Sequence, residues 1–337
     1  MLILAVETSC DDTAVALLEG CSVIAERVYS QEVHSKHGGV VPELASRSHM
    51  KILPGLVSDV LLAGGMDGLE NIDVLAATAG PGLTGSLLVG LAWAKAAAWA
   101  AGKRFLGINH LAAHIYIHYG QKRQVAFPAV ALLVSGGHTS LFQMKSWREI
   151  LLLGSTRDDA AGEAFDKTAK LAGLGYPGGV ALDIAADRGN PRTYSLPSPM
   201  PDPALPEFSF SGLKTAAKLL WEKGAILDDL AASFRKTVVD LLISKSMCQC
   251  ELLGAKSFLA AGGVTANRLL RKNLRHECSV RNLELFLPVK EHSTDNAVMV
   301  GRAAAAIIDR NPEASSPLSC NAFARWSGRS LSPIGGS

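Results

Sequence analysis

The sequence predicts an α/β protein made of two related halves, and three observations predict it. First, an apolar run, a polar turn and a second apolar run occur twice. The early copy is Leu2 to Val6, Thr8-Ser9-Cys10-Asp11-Asp12-Thr13 and Ala14 to Leu18; the later one is Ala129 to Val134, Ser135-Gly136-Gly137-His138-Thr139 and Ser140 to Met144. Each reads as a hairpin. Second, strand-like runs feed glycine turns at Val74 to Ala79 before Gly80-Pro81-Gly82, and at Ser257 to Ala261 before Gly262-Gly263. Third, these runs alternate with long Ala/Leu-rich helical patterns, the order expected of α/β domains. At 337 residues the chain is long for one core, and a boundary is expected near Gly120 to Pro128.

In chain order, helical periodicity predicts helices over 44–62, 86–101, 110–119, 158–171, 211–221, 228–253, 266–276 and 296–309. The uncharged stretch from Val74 to Ala94 has the hydropathy of a membrane span, but Gly80-Pro81-Gly82 and Gly85-Ser86 divide it into a buried strand, a glycine turn and a buried helix. The Pro-rich segment Ser195 to Pro206 reads as a loop, long enough to be a surface or functional excursion. After Pro312 the chain is rich in Ser, Gly and Pro, which predicts a loosely ordered tail over 313–337.

Composition excludes several classes. With 48% hydrophobic and 19% charged residues and a formal net charge of +2, the chain carries no global basic field that would announce nucleic-acid binding. The six cysteines form no CxxC pair and no dense framework, so neither a zinc ribbon nor a disulfide scaffold is expected, and a reducing cytoplasm fits. Met1-Leu2-Ile3-Leu4-Ala5-Val6 meets Glu7 with no basic region before it, so no export signal is expected.

His110 and His114, four residues apart, share one helix face, a metal-ligand spacing. Structural histidines in an apolar helix have the same spacing. With one carboxylate such as Asp295 in Thr294-Asp295-Asn296-Ala297, the pair would leave open positions on a divalent ion able to grip a substrate oxygen. Ser135-Gly136-Gly137-His138-Thr139 presents backbone N–H groups without side-chain obstruction, which suits an anion as well as a tight hairpin. Gly262-Gly263-Val264-Thr265-Ala266-Asn267 is a second such loop entering a helix, where Asn267 suits a cap or a nucleotide contact. Asp159, Glu163, Asp166 and Lys170 fall on one predicted helix face. That row, with Asp183 after Tyr176-Pro177-Gly178-Gly179, fits either solvated ion pairs or carboxylates that accept ribose hydroxyls. Arg268, Arg271, Lys272, Arg275 and His276 form a basic stripe opposite Leu269, Leu270 and Leu274, either a solvated helix face or a phosphate contact.

Taken together, Val6 to Thr13, His34 to Ser48 with its Gly38-Gly39-Val40-Val41-Pro42-Glu43-Leu44-Ala45-Ser46-Arg47 core, Gly80-Pro81-Gly82-Leu83, Asn109 to His114, Val134 to Thr139, Phe165-Asp166-Lys167 and Thr294 to Ala297 resemble the bacterial TsaD family. These are the tRNA N6-adenosine threonylcarbamoyltransferases, formerly called glycoproteases. The likeness runs from the first strand to about Arg302. It implies two RNase H-like domains of the actin/Hsp70/sugar-kinase (ASKHA) type around a central cleft, over 1–124 and 125–295, with a helix over 296–312 returning to the first.

It further implies that His110, His114 and Asp295 bind one divalent metal ion, Fe2+ or Zn2+. Leu133, Val134, Ser135, Gly136 and Gly137 would form the substrate loop, and Asp166, Gly179, Asp183 and Asn267 would contact the nucleotide. Glu7 and Asp11 would face the reacting end, with Asp11 as proton acceptor. The implied reaction moves the threonylcarbamoyl group of threonylcarbamoyl-AMP to N6 of adenosine 37 in tRNAs that read codons beginning with A. A TsaB-like paralogue and a TsaE-like ATPase are the implied partners. Three other classes compete. A metalloprotease lacks its base, because Leu111 stands where an H-E-x-x-H motif needs Glu. A sugar-type kinase of the same fold and a nucleotide-gated scaffold without chemistry remain alternatives.

Overall fold

The computed structural model describes residues 1–335. In chain order its elements are β1 (Leu2–Glu7), β2 (Asp12–Glu19), β3 (Ser22–Ser30), α1 (Pro42–Ala63), β4 (Val74–Gly80), α2 (Thr84–Ala101), β5 (Arg104–Asn109), α3 (His110–Tyr116), β6 (Ala129–Val134), β7 (Thr139–Ser146), β8 (Glu149–Ser155), α4 (Ala161–Leu171), α5 (Gly179–Ala186), α6 (Ser211–Glu222), α7 (Leu227–Leu252), β9 (Ser257–Ala261), α8 (Arg268–Val280), β10 (Glu284–Phe286) and α9 (Ala297–Ile308). The chain divides into two units: Met1–Gln124 with everything from Thr294 onward, and Val125–Ser293. Asp295 therefore falls with the first unit rather than at the end of the second, because the chain crosses back just before α9.

Each unit has one five-stranded sheet, and the two sheets repeat a single topology. The first runs β3-β2-β1-β4-β5 and the second β8-β7-β6-β9-β10. In both, the opening three strands are antiparallel and the last two join in parallel. The central strands β1, β4, β6 and β9 are buried on both faces, so they read as unbroken apolar runs. β3 lies at an edge and is largely exposed, with Glu26 and Arg27 along it. Four strands, β3, β5, β8 and β10, go beyond those the sequence pattern marked.

The first core gathers Leu4, Val15, Leu53, Leu75 and Leu91; the second gathers Leu132, Leu141, Phe165, Phe234 and Phe258. Each such side chain contributes about 1.5–3 kcal/mol by leaving water. α9 packs on β1, β2 and α3, and Asn296 starts it by accepting from the Met299 N–H at 3.0 Å. Since the helix is enclosed on nearly all sides, its Ala, Val, Met and Ile positions follow no amphipathic stripe.

Two expectations need correction. The helix expected over 158–171 begins only at Ala161, because Asp158 is engaged elsewhere: its Oδ1 accepts the Phe210 N–H at 2.7 Å at the entry to α6. Over its described part, 313–335, the tail is held rather than loose, and 336–337 lie outside the described residues. Ser316 donates its N–H to the Phe105 carbonyl (2.7 Å), Phe323 to Ala79 (3.0 Å) and Gly335 to Gly107 (2.8 Å), while Asn109 donates to Pro333 (2.9 Å). Composition marks the absence of helix and strand there, but β5 is a sheet edge whose backbone groups need partners, and the tail supplies them.

Candidate active site

In the first unit, sequence and fold bring three of the expected residues together. Asn109 ends β5 and caps α3 by accepting the Ala112 N–H at 3.1 Å, which places His110 and His114 on successive turns of a fully buried helix. Asp295, just before α9, reaches both: its Oδ1 lies 3.7 Å from His110 Nε2 and 3.2 Å from His114 Nε2. One ligand atom from each of the three residues lies within 4.8 Å of the others.

Glu7 stands behind this group. It is fully buried at the end of β1, where Oε1 accepts the Ser9 N–H (2.5 Å) and Oε2 accepts the Thr78 hydroxyl (2.6 Å). The same Oε2 lies 3.2 Å from His110 Nδ1. A carboxylate on Nδ1 holds the proton there, which leaves Nε2 as the nitrogen that would give up its proton to a metal ion. Burial works against charge on Glu7, but the His110 ring and, after it, the Ser9 side chain outweigh it and hold the carboxyl below its ordinary value. Burial likewise opposes charge on His110, yet Asp295 and Glu7 push it up to about 9. His114 Nε2 is buried and has no hydrogen bond among the described residues. That nitrogen, beside a second imidazole and with the Asp295 carboxylate 3.2 Å away, fits a divalent ion.

Asp11 lies half-buried in the β1–β2 turn. Its neighbour Asp12, which motif reading passed over, is pushed up to about 7, chiefly by burial and then by Asp295, Asp11 and Glu7, against a hydrogen bond from Ser30.

The second unit gathers the other expected residues. The β6–β7 turn is closed by the Ser135 N–H to the His138 carbonyl (2.8 Å) and by the His138 N–H to Ser135 Oγ (3.1 Å). Glycines back it: a Cβ on Gly262 (φ +94°) would stand 2.5 Å from the Val134 oxygen, and one on Gly162 would stand 2.6 Å from the Ser135 oxygen. On Gly136 or Gly137 a Cβ would meet nothing within 4 Å. The turn is thus tightly supported behind and open in front, where an anion can meet bare backbone. Asp166 Oδ1 accepts the N–H groups of Gly178 (3.0 Å) and Gly179 (2.8 Å), pinning the loop before α5 to α4. Asp183 Oδ1 accepts from Asn267 Nδ2 at 2.7 Å and from Arg235 at 2.8 Å.

Other marked residues are structural. Asp159 pairs with Lys167 (2.7 Å) and Lys214 (2.6 Å). Arg271 is not part of a solvated stripe: it is buried, donating to the carbonyls of Thr265 (2.6 Å) and Pro288 (2.7 Å) and to Ser293 Oγ (3.2 Å). Thr78 and Arg235 were missed, because only the folded chain brings each to partners distant in sequence.

The fold defines the class first. HypF from T. kodakarensis superposes with a TM-score of 0.61 at 15% identity over 92% of this chain and 48% of that one. The activator of the 2-hydroxyisocaproyl-CoA dehydratase from Clostridium difficile does so with 0.52 at 12%, over 95% and 100%. At such identities the likeness carries the fold alone, two RNase H-like domains of the ASKHA type. Sequence carries more. The family model for TsaD, tRNA N6-adenosine threonylcarbamoyltransferase, matches residues 22–302. Proteins of that name from Thermotoga neapolitana and Syntrophobacter fumaroxidans are 46% and 44% identical, over 90% and 97% of this chain and 93% and 100% of theirs. The chain belongs to the TsaD family, and its activity is transfer of a threonylcarbamoyl group to N6 of a tRNA adenosine. Neither the kinase nor the scaffold alternative finds support in these likenesses. Among the described residues, no helix is long and apolar enough to cross a membrane.

Proposed function

We propose that the chain takes the threonylcarbamoyl group from threonylcarbamoyl-AMP and passes it to adenosine 37 of tRNAs that read codons beginning with A, releasing AMP, in the cytoplasm. One observation carries the site assignment: the buried His114 Nε2, which makes no hydrogen bond among the described residues, converges with His110 and Asp295. These three would hold one divalent ion, iron or zinc, which when bound supplies Lewis acidity toward substrate oxygens. Glu7 acts on that group by fixing the His110 ring rather than by touching substrate.

In the second unit, the loop Leu133 to Gly137 holds the phosphate, its open backbone at Gly136 and Gly137 supplying the donors, and Asp166 and Gly179 shape the nucleotide pocket. Asp183 and Asn267 meet the nucleoside. The chemistry is an acyl substitution. N6 attacks the carbamoyl carbon of the mixed anhydride, the carbon–oxygen bond to phosphate breaks, and AMP departs with that electron pair. An exocyclic adenine amine is a weak nucleophile, so a base that takes its proton contributes about 10²–10⁴ in rate. Asp11 is that base. A TsaB-like paralogue and a TsaE-like ATPase would assist, which suits a chain whose net charge is only +2.

The test is single-turnover transfer from labelled threonylcarbamoyl-AMP to unmodified tRNA, with and without those partners. Asp11→Ala is expected to lose transfer while keeping threonylcarbamoyl-AMP binding. Loss of binding in that variant would remove Asp11 from the role of base.

A further inference from the structure

The environment of Asp183 contains a buried arginine that the family motifs do not account for. Arg235 sits on α7 at 9% exposure. Its guanidinium donates to the Asp183 carbonyl (3.0 Å), to Asp183 Oδ1 (2.8 Å) and to Asp187 Oδ1 (2.6 Å), so it ties both acidic residues of the α5 end to α7. Its Nε is buried and has no hydrogen bond among the described residues. A side chain placed only to fill this core would be apolar, since a buried ion pair with an unsatisfied donor is a poor source of stability.

What the arginine does achieve is orientation. Asn267 is itself fixed, because its Oδ1 accepts the Leu270 N–H at 2.9 Å at the start of α8. That contact decides which way the amide faces and turns Nδ2 onto Asp183 Oδ1 at 2.7 Å. One oxygen of Asp183 therefore receives two donors. Oδ2 has no hydrogen bond among the described residues, and the side chain keeps 19% of its surface open. An ionised carboxylate held by one oxygen and free at the other is an acceptor built for a hydroxyl donor, and it carries no donor for a phosphate.

We propose that Arg235 is a positioning residue for nucleotide recognition: with Asn267 it clamps Asp183 Oδ1, so that Oδ2 is presented to a ribose hydroxyl. The inference rests on the reading that Asp183 meets the nucleoside. Arg235 touches no ligand, and its effect passes through Asp183. All three contacts come from one guanidinium nitrogen, Nη1, so a lysine ammonium in its place would keep part of the clamp.

The test compares the affinity of the full chain for AMP and for 2′,3′-dideoxy-AMP by calorimetry, in the wild type, Arg235→Gln, Arg235→Lys, Asp183→Asn and the Arg235→Gln/Asp183→Asn double variant. A charge-assisted hydrogen bond to the hydroxyl predicts that the wild type prefers AMP by about tenfold or more. Asp183→Asn and Arg235→Gln should each bring that preference below about threefold, with dideoxy-AMP affinity retained. Arg235→Lys should restore part of it, and the double variant should match Asp183→Asn alone. If the wild type has no preference, or Asp183→Asn leaves it intact, the reading of Asp183 fails and takes this one with it. If Asp183→Asn loses the preference but Arg235→Gln keeps it, or weakens both ligands equally, Arg235 is only structural and the proposal is overturned.

Discussion

The two units share one strand order, yet the ends of their equivalent first strands do opposite work. β1 ends in Glu7, a buried side chain whose oxygens are committed to Ser9, Thr78 and His110. β6 ends at Val134 and runs into Ser135, Gly136 and Gly137, where the front of the turn is bare backbone. A common topology thus delivers a strand end to the same place in each sheet, and local residues then decide whether that end braces a side-chain ligand or offers backbone donors. The first arrangement suits a cation, the second an anion.

The sharpest way to break this contrast is at Glu7. Glu7→Gln keeps the size of the side chain but removes the carboxylate behind His110, and is expected to weaken metal affinity about 10–100-fold. AMP affinity should be unchanged, since the residues assigned to the nucleotide lie in the other unit. Titration of metal-free protein with zinc or ferrous iron reads the first effect and calorimetry the second; a drop in both would mean that the units are not separable in this way.

The backbone side of the contrast can be broken at two glycines. Gly262→Ala places a methyl against the Val134 oxygen at a φ of +94°, so it should cost about 1–3 kcal/mol of stability and disturb the turn. Gly136→Ala meets nothing in the protein, so stability should change by less than about 0.5 kcal/mol while AMP binding falls. Thermal unfolding beside calorimetry separates them, and equal destabilisation of the two variants would contradict the picture of a turn open in front.

A smaller effect is expected at Asp12. Its carboxyl is pushed up to about 7, first by burial. A carboxyl raised in the folded state favours folding while protonated; that contribution is complete below about pH 4, the ordinary aspartate value, and is lost as pH rises through about 7. In metal-free protein, Asp12→Asn should therefore gain stability relative to the wild type between pH 4 and pH 8, on the order of 1–2 kcal/mol. Melting temperatures across that range check the sign, and a gap that narrows toward pH 8 would contradict it.

Much of this was legible in the sequence because the relevant signals are local. Apolar runs marked β1, β4, β6 and β9, and the i, i+4 spacing put His110 and His114 on one face. What was not legible depends on contacts between distant segments. β3 is an exposed edge strand without a buried-face pattern, and α5 is short and follows the loop that Asp166 holds. Arg271 looks like any basic residue on an amphipathic helix until Thr265, Pro288 and Ser293 enclose it. The tail is held by the edge of β5, and composition says nothing about an edge.

The most direct test of the central claim, that His110, His114 and Asp295 form the metal group needed for transfer, is to measure bound metal and single-turnover transfer on the same preparations of wild type and Asp295→Ala. The wild type is expected to bind one divalent ion per chain and to modify tRNA. The variant should remain folded, lose the ion and lose transfer by at least about a hundredfold. A folded Asp295→Ala protein that transfers at the wild-type rate without metal would contradict the account.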